Sequence, residues 1–189
     1  MGQVSDAIDE RTAAFIRARR MFFVATAPLD PNGHVNLSPK GLDTFAVLDP
    51  RTVAYLDLTG SGIETIAHLR ENARITICFV AFEGPPKILR LYGRGTVLLA
   101  GDSAFDEVAA RFPTYLGVRS VIRVAVQRVA DSCGYAVPEY AFVRQRDQLL
   151  QWAERKGPDA IRAYRQERNR ASIDGLPGWR GSGNTAPRS

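Results

Sequence analysis

Three residues, Asp49-Pro50-Arg51, separate two runs patterned as β-strands, Thr44 to Leu48 and Thr52 to Leu58. A parallel pair needs a crossover of about a dozen residues or more, so a link this short forces the runs to lie antiparallel. The same logic holds upstream. Met21 to Ala27 reads as a strand, Pro28 to Gly33 with its Asp-Pro-Asn-Gly is a turn, and His34 to Ser38 returns as the hairpin partner. Further strands are predicted at Arg74 to Val80, Lys87 to Ala100 and Ser120 to Ala130. In the second of these Gly93 and Gly95 flank Arg94, a spacing that predicts a bend or bulge of the kind that closes a barrel. The pattern specifies a mainly antiparallel β domain with flanking helices, a barrel or an α+β arrangement and not a Rossmann fold.

The helices are predicted from caps and apolar spacing. Ser5 is a candidate N-cap, with Asp6, Asp9 and Glu10 in the first turns and Ile8, Phe15 and Ile16 on one face, ending near Ala18. Ser103 is the candidate cap of a short helix from Ala104 to Phe112. Arg144 to Lys156 and Asp159 to Arg170 are two further helices, divided by Gly157 as a C-cap and Pro158 as a first-turn residue. Ser172 to Gly178 is a turn-rich arm. The implied division is a β domain over residues 1–135, a helical extension over 136–178 and a disordered tail over 179–189.

Composition narrows the function classes. At 189 residues, 45% hydrophobic and 24% charged, the chain has an ordinary globular make-up. It shows no run apolar enough to span a bilayer and no secretory leader, so a cytoplasmic location is expected. Cys78 and Cys133 lack metal-ligand spacing, and His34 and His68 stand alone, so neither a metal centre nor a disulfide framework is expected. The net charge of +5 comes from the C-terminal part: residues 1–140 hold 15 basic and 15 acidic side chains, residues 141–189 hold 10 and 5. A solvated basic helix face explains this better than nucleic-acid binding, because no aromatic platform is interleaved with the charge.

One stretch carries chemistry. Thr59-Gly60-Ser61-Gly62-Ile63-Glu64-Thr65 joins the strand ending at Leu58 to a helix predicted to start at Gly62 or Ile63, with Ser61 and Glu64 as a capping box, and to end near Asn72. Glycines and hydroxyls ahead of a helix start let the backbone approach a ligand, and the free N–H groups and positive helix end favour an anion. Lys40, with no carboxylate beside it in sequence, is a candidate balancing cation. The stretch is neither a Gly-x-Gly-x-x-Gly motif nor a P-loop.

The strand Val35 to Gly41 ending in Lys-Gly, the turn Leu58 to Thr65, the helix end Arg70-Glu71-Asn72 and the strand Leu89-Arg90-Leu91-Tyr92-Gly93-Arg94 occur in an order that resembles the pyridoxamine 5'-phosphate oxidase-like, FMN-binding split β-barrel family. The resemblance covers roughly residues 10–130. It implies a homodimer with FMN at the subunit interface: Asn36, Leu37 and Ser38 beside the flavin ring, Lys40 facing ribityl or phosphate oxygens, and Ser61, Gly62 and Thr65 around the phosphate. Thr59 and Arg90 are further candidate contacts.

The chain also departs from that family. Glu64-Thr65 stands where members that oxidise pyridoxamine phosphate resemble one another in an Arg-Lys pair, and Asp174-Gly-Leu-Pro-Gly lacks their arginine-bearing substrate motif. Without those cations a dianionic substrate loses its charge-assisted contacts. The expected activity is therefore a flavin-dependent oxidoreductase on an unidentified small molecule, with no acid or base named. Cys133 and Tyr135 are candidates to approach the ring from a partner chain. The alternatives are a similar barrel holding the deazaflavin F420 or haem, and a non-catalytic flavin-binding protein.

Overall fold

The computed structural model describes residues 2–179. Eight strands and four helices follow in chain order: β1 (Val4–Ser5), α1 (Glu10–Arg17), β2 (Phe22–Thr26), β3 (Asn36–Lys40), β4 (Phe45–Asp49), β5 (Thr52–Leu58), α2 (Glu64–Asn72), β6 (Arg74–Val80), β7 (Ile88–Leu98), α3 (Phe105–Ala109), β8 (Val118–Ser132) and α4 (Gln148–Arg168). All the strand pairings are antiparallel, in the order β3-β2-β6-β7-β8-β5-β4. β1 extends the β5 side of β8, taking Val129 and Ala130 beyond the point where β5 ends. β3 and β4 are the two ends of this order and do not pair with each other, so the sheet curls without closing, as in a split barrel.

The core lies inside the curl. Phe22, Val24, Val53, Tyr55, Ile77, Phe79, Leu89, Leu91, Ile122 and Val124 form one cluster with Ile63, Ile66 and Leu69 of α2 and its approach. A second cluster, Ala54, Leu56, Leu98, Val108 and Val121, lies outside the sheet beneath α3. β5 is thus covered on both faces, which is why its sequence shows little polar alternation. The predicted bulge is present: the register between β7 and β8 shifts between Tyr92 and Gly93.

Two predicted caps are replaced. Ser5 lies in β1, paired with Val129, and α1 instead begins after Asp9, whose carboxylate accepts from the Thr12 N–H at 2.7 Å. Strand pairing claims Ser5 before it can cap. α3 follows Ala104 without any side-chain cap, so Ser103 does not serve. Within α4 two helical stretches are divided where predicted, Gly157 (φ 72°, ψ 166°) breaking the helical backbone before Pro158, and only the start differs, since residues 144–147 are not helical. Residues 180–189 of the expected disordered tail lie outside the described residues, whereas Trp179 sits under the Arg165 guanidinium, 5.2 Å from its ring centroid.

Candidate functional site

β3 is an edge strand, which is what admits Pro39, a residue with no N–H to give. Its side chains alternate. Leu37 points outward, 65% exposed, whereas Asn36, Ser38 and Lys40 are half-buried toward the polar end of the barrel. The Asn36 amide donates to the hydroxyls of Thr26 and Thr65, both at 3.0 Å, and the Ser38 hydroxyl donates to the Asn36 carbonyl oxygen at 2.8 Å. Nδ1 of the buried His68 lies 3.0 Å from the Thr26 hydroxyl. Burial pushes the His68 pKa down, so the ring is neutral at neutral pH.

Lys40 is not the free cation that the sequence suggests. Its ammonium lies 3.2 Å from Oδ1 of Asp57, a fully buried carboxylate whose Oδ2 accepts from Arg119 Nε at 2.8 Å and from the Ser120 hydroxyl at 3.3 Å. Burial acts to raise the Asp57 pKa, but Arg119 and Lys40 outweigh it and hold the carboxyl at about 2. Beside it the Tyr55 hydroxyl is buried with a contact to Thr65 that falls short of a well-formed hydrogen bond, and burial together with the Asp57 charge pushes its pKa well above 10. Removing a buried unsatisfied polar atom relieves a desolvation cost, so Tyr55→Phe is expected to raise stability by about 1 kcal/mol in urea unfolding. A loss of that size would mean the hydroxyl has a partner in solution.

The turn from Thr59 to Ile63 is clamped from within. Asn169 Nδ2 donates to the carbonyls of Gly60 (3.0 Å) and Ser61 (3.1 Å), while Arg119 Nη1 donates to the Gly62 carbonyl and to Asn169 Oδ1, both at 2.8 Å. Arg165 Nε donates to the Thr59 hydroxyl at 2.8 Å, and that hydroxyl donates to the Gly117 carbonyl. The peptides are trans, so C=O and N–H of each planar unit point in opposite directions. With the carbonyls of Gly60 and Ser61 turned inward, the N–H groups of the exposed residues Ser61 and Gly62 face the other way, while Ile63, 1% exposed, is buried beneath the turn. Successive N–H groups facing one way form an anion-binding concavity.

This clamp also explains why the predicted capping box is absent. α2 starts at Glu64, its N-cap position is Ile63 with no side-chain cap, and Ser61 is exposed. The Glu64 carboxylate lies over Gly62, where an added Cβ would stand 2.6 Å from its Oε2, and it accepts from the Ile173 N–H at 3.3 Å. Around the turn, Lys40, Arg119 and Arg165 face two carboxylates, Asp57 and Glu64. Burial and the neighbouring Arg119 charge lower the Arg165 pKa to about 10, which still leaves it charged at neutral pH.

Of the nine residues singled out from sequence, Asn36, Ser38, Lys40, Thr59, Ser61, Gly62 and Thr65 therefore fall at one end of the barrel, and Leu37 flanks them on the outer face. Arg90 does not join them. It pairs with Ala130 far along β8 from Arg119, and its guanidinium donates to the Ser132 hydroxyl at 3.1 Å. None of the nine lines the cavity of about 800 Å³ bordered by Lys87, Asp131, Cys133 and Tyr135. Sequence reading missed Asp57, Arg119 and Asn169. The detectable signal was Asp57 sharing the strand parity of the core residues Val53 and Tyr55.

An antiparallel sheet that curls around a core, stays open between two edge strands and is plugged by one helix defines a split β-barrel. Residues 8–133 match the family model of pyridoxamine 5'-phosphate oxidase, and the chain belongs to that family. Over 175 residues it is 38% identical to the pyridoxamine 5'-phosphate oxidase family protein ustO of Aspergillus flavus, covering 84% of this chain and 70% of that one. Among solved structures, a pyridoxamine 5'-phosphate oxidase-like protein of Lactobacillus delbrueckii superposes with a TM-score of 0.53 at 20% identity, over 66% of this chain and 94% of that one. A variant of HupZ from Group A Streptococcus does so with a TM-score of 0.52 at 23% identity, over 66% and 99%. At these identities the two structures speak for the fold alone. No helix among the described residues is long and apolar enough to cross a membrane.

Proposed function

We propose that this protein binds FMN and uses it as a flavin-dependent oxidoreductase on a small molecule other than pyridoxamine phosphate. The observation that carries the reading is the Gly60–Gly62 turn, whose carbonyls are tied inward by Asn169 and Arg119 while Ser61 and Gly62 stay exposed. The N–H groups of Ser61 and Gly62 and the Ser61 hydroxyl would hold the phosphate, with Lys40 and Arg165 supplying charge. The open edge of β3, with Leu37 beside it, would flank the ring. When bound, FMN supplies the hydride and electron chemistry. The chain's own part is to bind it, orient it and set the charge around it. Asp174-Gly-Leu-Pro-Gly, without the arginine-bearing substrate motif, leaves a second dianion without charge-assisted contacts, which is the ground for excluding pyridoxamine phosphate.

The proposed assembly is a homodimer that completes the site. Val35 (73% exposed), Leu37 and Ile173 (70%) place apolar surface around an unpaired sheet edge, a combination that single chains normally cover.

Purified protein is expected to be yellow or to quench FMN fluorescence on titration. Replacing both Lys40 and Ser61 with alanine removes a charged and a hydroxyl contact, and is expected to weaken FMN binding by about 10- to 100-fold. A colourless protein that fails to quench FMN at micromolar concentration overturns the reading. A second reading, deazaflavin F420, draws on one observation: Arg165 of the basic helix α4 reaches Thr59, so a longer acidic tail would meet Arg162 and Arg168 on the same helix. Parallel titration with the two cofactors separates them.

A further inference from the structure

We infer that the groove between the outer face of β2 and β6 and the segment 139–145 is a binding site for a small aromatic carboxylate, whose rings seat the body of the ligand while Arg20 and Arg144 take its charge. The site stands whether or not the protein carries a flavin.

The floor follows from strand parity. Phe22, Val24, Ile77 and Phe79 point into the core, so Phe23 of β2 and Val80 of β6 point to the outside of the sheet and line the groove. The wall is the chain returning after β8, and it is tied down at three places. The Tyr140 N–H donates to the Phe82 carbonyl at 2.9 Å, the Phe142 N–H to the Glu83 carboxylate at 2.7 Å, and the Gln145 side-chain amide to the Arg20 carbonyl at 2.8 Å. The last of these tethers lies within residues 144–147, where the sequence pattern predicts helix and the chain runs non-helical. Between floor and wall is a hollow of about 430 Å³, inside the range of roughly 300–1,000 Å³ that suits small molecules. Because the protein's own hydrogen bonds hold it open, a ligand does not have to order it on arrival.

Two observations set the chemistry of the occupant. The first is apolar: Tyr140, packed on Phe82 with ring centroids 5.6 Å apart, is 62% exposed, and Phe142 is 44% exposed. Aromatic surface lining a concavity is thus left open to water. The second is charge. Among the described residues neither Arg20 nor Arg144 forms an ion pair. Glu83, the one carboxylate bordering the groove, already accepts from Phe142 and acts on the charge of Arg19. The Arg20 guanidinium stands 5.2 Å from the Phe142 ring centroid, so a cation sits at the margin of the aromatic surface. A planar aromatic body with one carboxylate meets both demands, stacking on the rings and pairing with the guanidiniums. A second copy of the chain fits less well, because a two-fold contact repeats the same uncompensated cations on both sides and the rim has no free carboxylate to receive them.

The test titrates 2-naphthoate and its uncharged counterpart 2-naphthamide calorimetrically into wild type, the double variant Arg20→Gln, Arg144→Gln, and Phe142→Ala. All three side chains are exposed, and far-UV circular dichroism verifies that the variants keep the fold. Wild type is expected to bind naphthoate with a Kd below about 1 mM. The arginine variant should lose about tenfold or more in naphthoate affinity and hold naphthamide within about twofold, since only the first carries the charge. Phe142→Ala should weaken both ligands by about fivefold. Absence of naphthoate binding at millimolar concentration, affinities that neither variant changes, or equal losses of both ligands in the arginine variant would each overturn the inference. Sedimentation of wild type and Phe142→Ala tests the competing occupant. A dimer that dissociates in Phe142→Ala would assign the groove to a second copy and overturn the ligand site, whereas an unchanged association state supports it.

Discussion

Asp57→Ala is expected to cost about 3–5 kcal/mol in unfolding free energy at neutral pH, the range for breaking a buried ion pair from one side. The reason lies in what remains. Arg119, 5% exposed, would be left without its carboxylate, and Lys40 would lose the same partner. Against a total stability of about 5–15 kcal/mol for a typical domain, this is a large fraction. Asp57→Asn, which keeps the shape and loses the charge, tests the electrostatic part alone and should fall in the same direction. The pH dependence of wild type gives an independent check. The Asp57 pKa is depressed from 3.8 to about 2, so its contribution is fully present above the unfolded value and is lost as pH falls through the folded one. That shift corresponds to about 2 kcal/mol, falling away between about pH 4 and pH 2, and Asp57→Asn should flatten this part of the profile. Urea unfolding at several pH values measures both. A cost below about 1 kcal/mol, with the acid slope unchanged, would show that the triad is solvated and that Arg119 does not depend on it.

This triad also marks where sequence reading reached its limit. The strands were legible because their alternation and short links are local: Asp49-Pro50-Arg51 and the Asn-Gly turn determine which runs pair before any tertiary contact forms. The pairing of Asp57 with Arg119 spans 62 positions, and nothing in either neighbourhood announces it. Lys40 was readable as a cation near the turn but not as one already partnered, for the same reason. The capping box failed more instructively. Ser61-x-x-Glu64 is a valid local motif worth about 1 kcal/mol, yet three carbonyl bonds from Asn169 and Arg119 orient the same peptides differently and outweigh it. Ser5 lost its cap to strand pairing by the same rule. In each case a tertiary hydrogen-bond set overrode a local preference, and the override coincides with the candidate site.

Gly93→Ala is expected to destabilise the protein by about 2–3 kcal/mol, whereas Gly95→Ala two residues on should cost about 1 kcal/mol or less. Both glycines lie in β7 and both would place a Cβ too close to a neighbour, but the neighbours differ. At Gly93 the added carbon would stand 2.3 Å from the backbone oxygen of Ala125, which cannot move without breaking the β7–β8 ladder. At Gly95 it would stand 2.8 and 2.9 Å from the two terminal carbons of Leu69, a core side chain that must shift but whose movement breaks no ladder hydrogen bond. In a domain of this size the difference should appear as a drop of roughly 5–10 °C in melting temperature for the first variant and a few degrees for the second. The first substitution should also reach the site. The bulge at Gly93 sets the bend of β8, and Arg119 lies on that strand on the side toward β5, so relaxing the bend moves the guanidinium that holds both Asp57 and the Gly62 carbonyl. FMN affinity should therefore fall in Gly93→Ala even at temperatures where the variant is fully folded, and should hold in Gly95→Ala. Equal melting temperatures for the two would mean that the register shift, and not the missing side chain, sets the curvature on which the site is built.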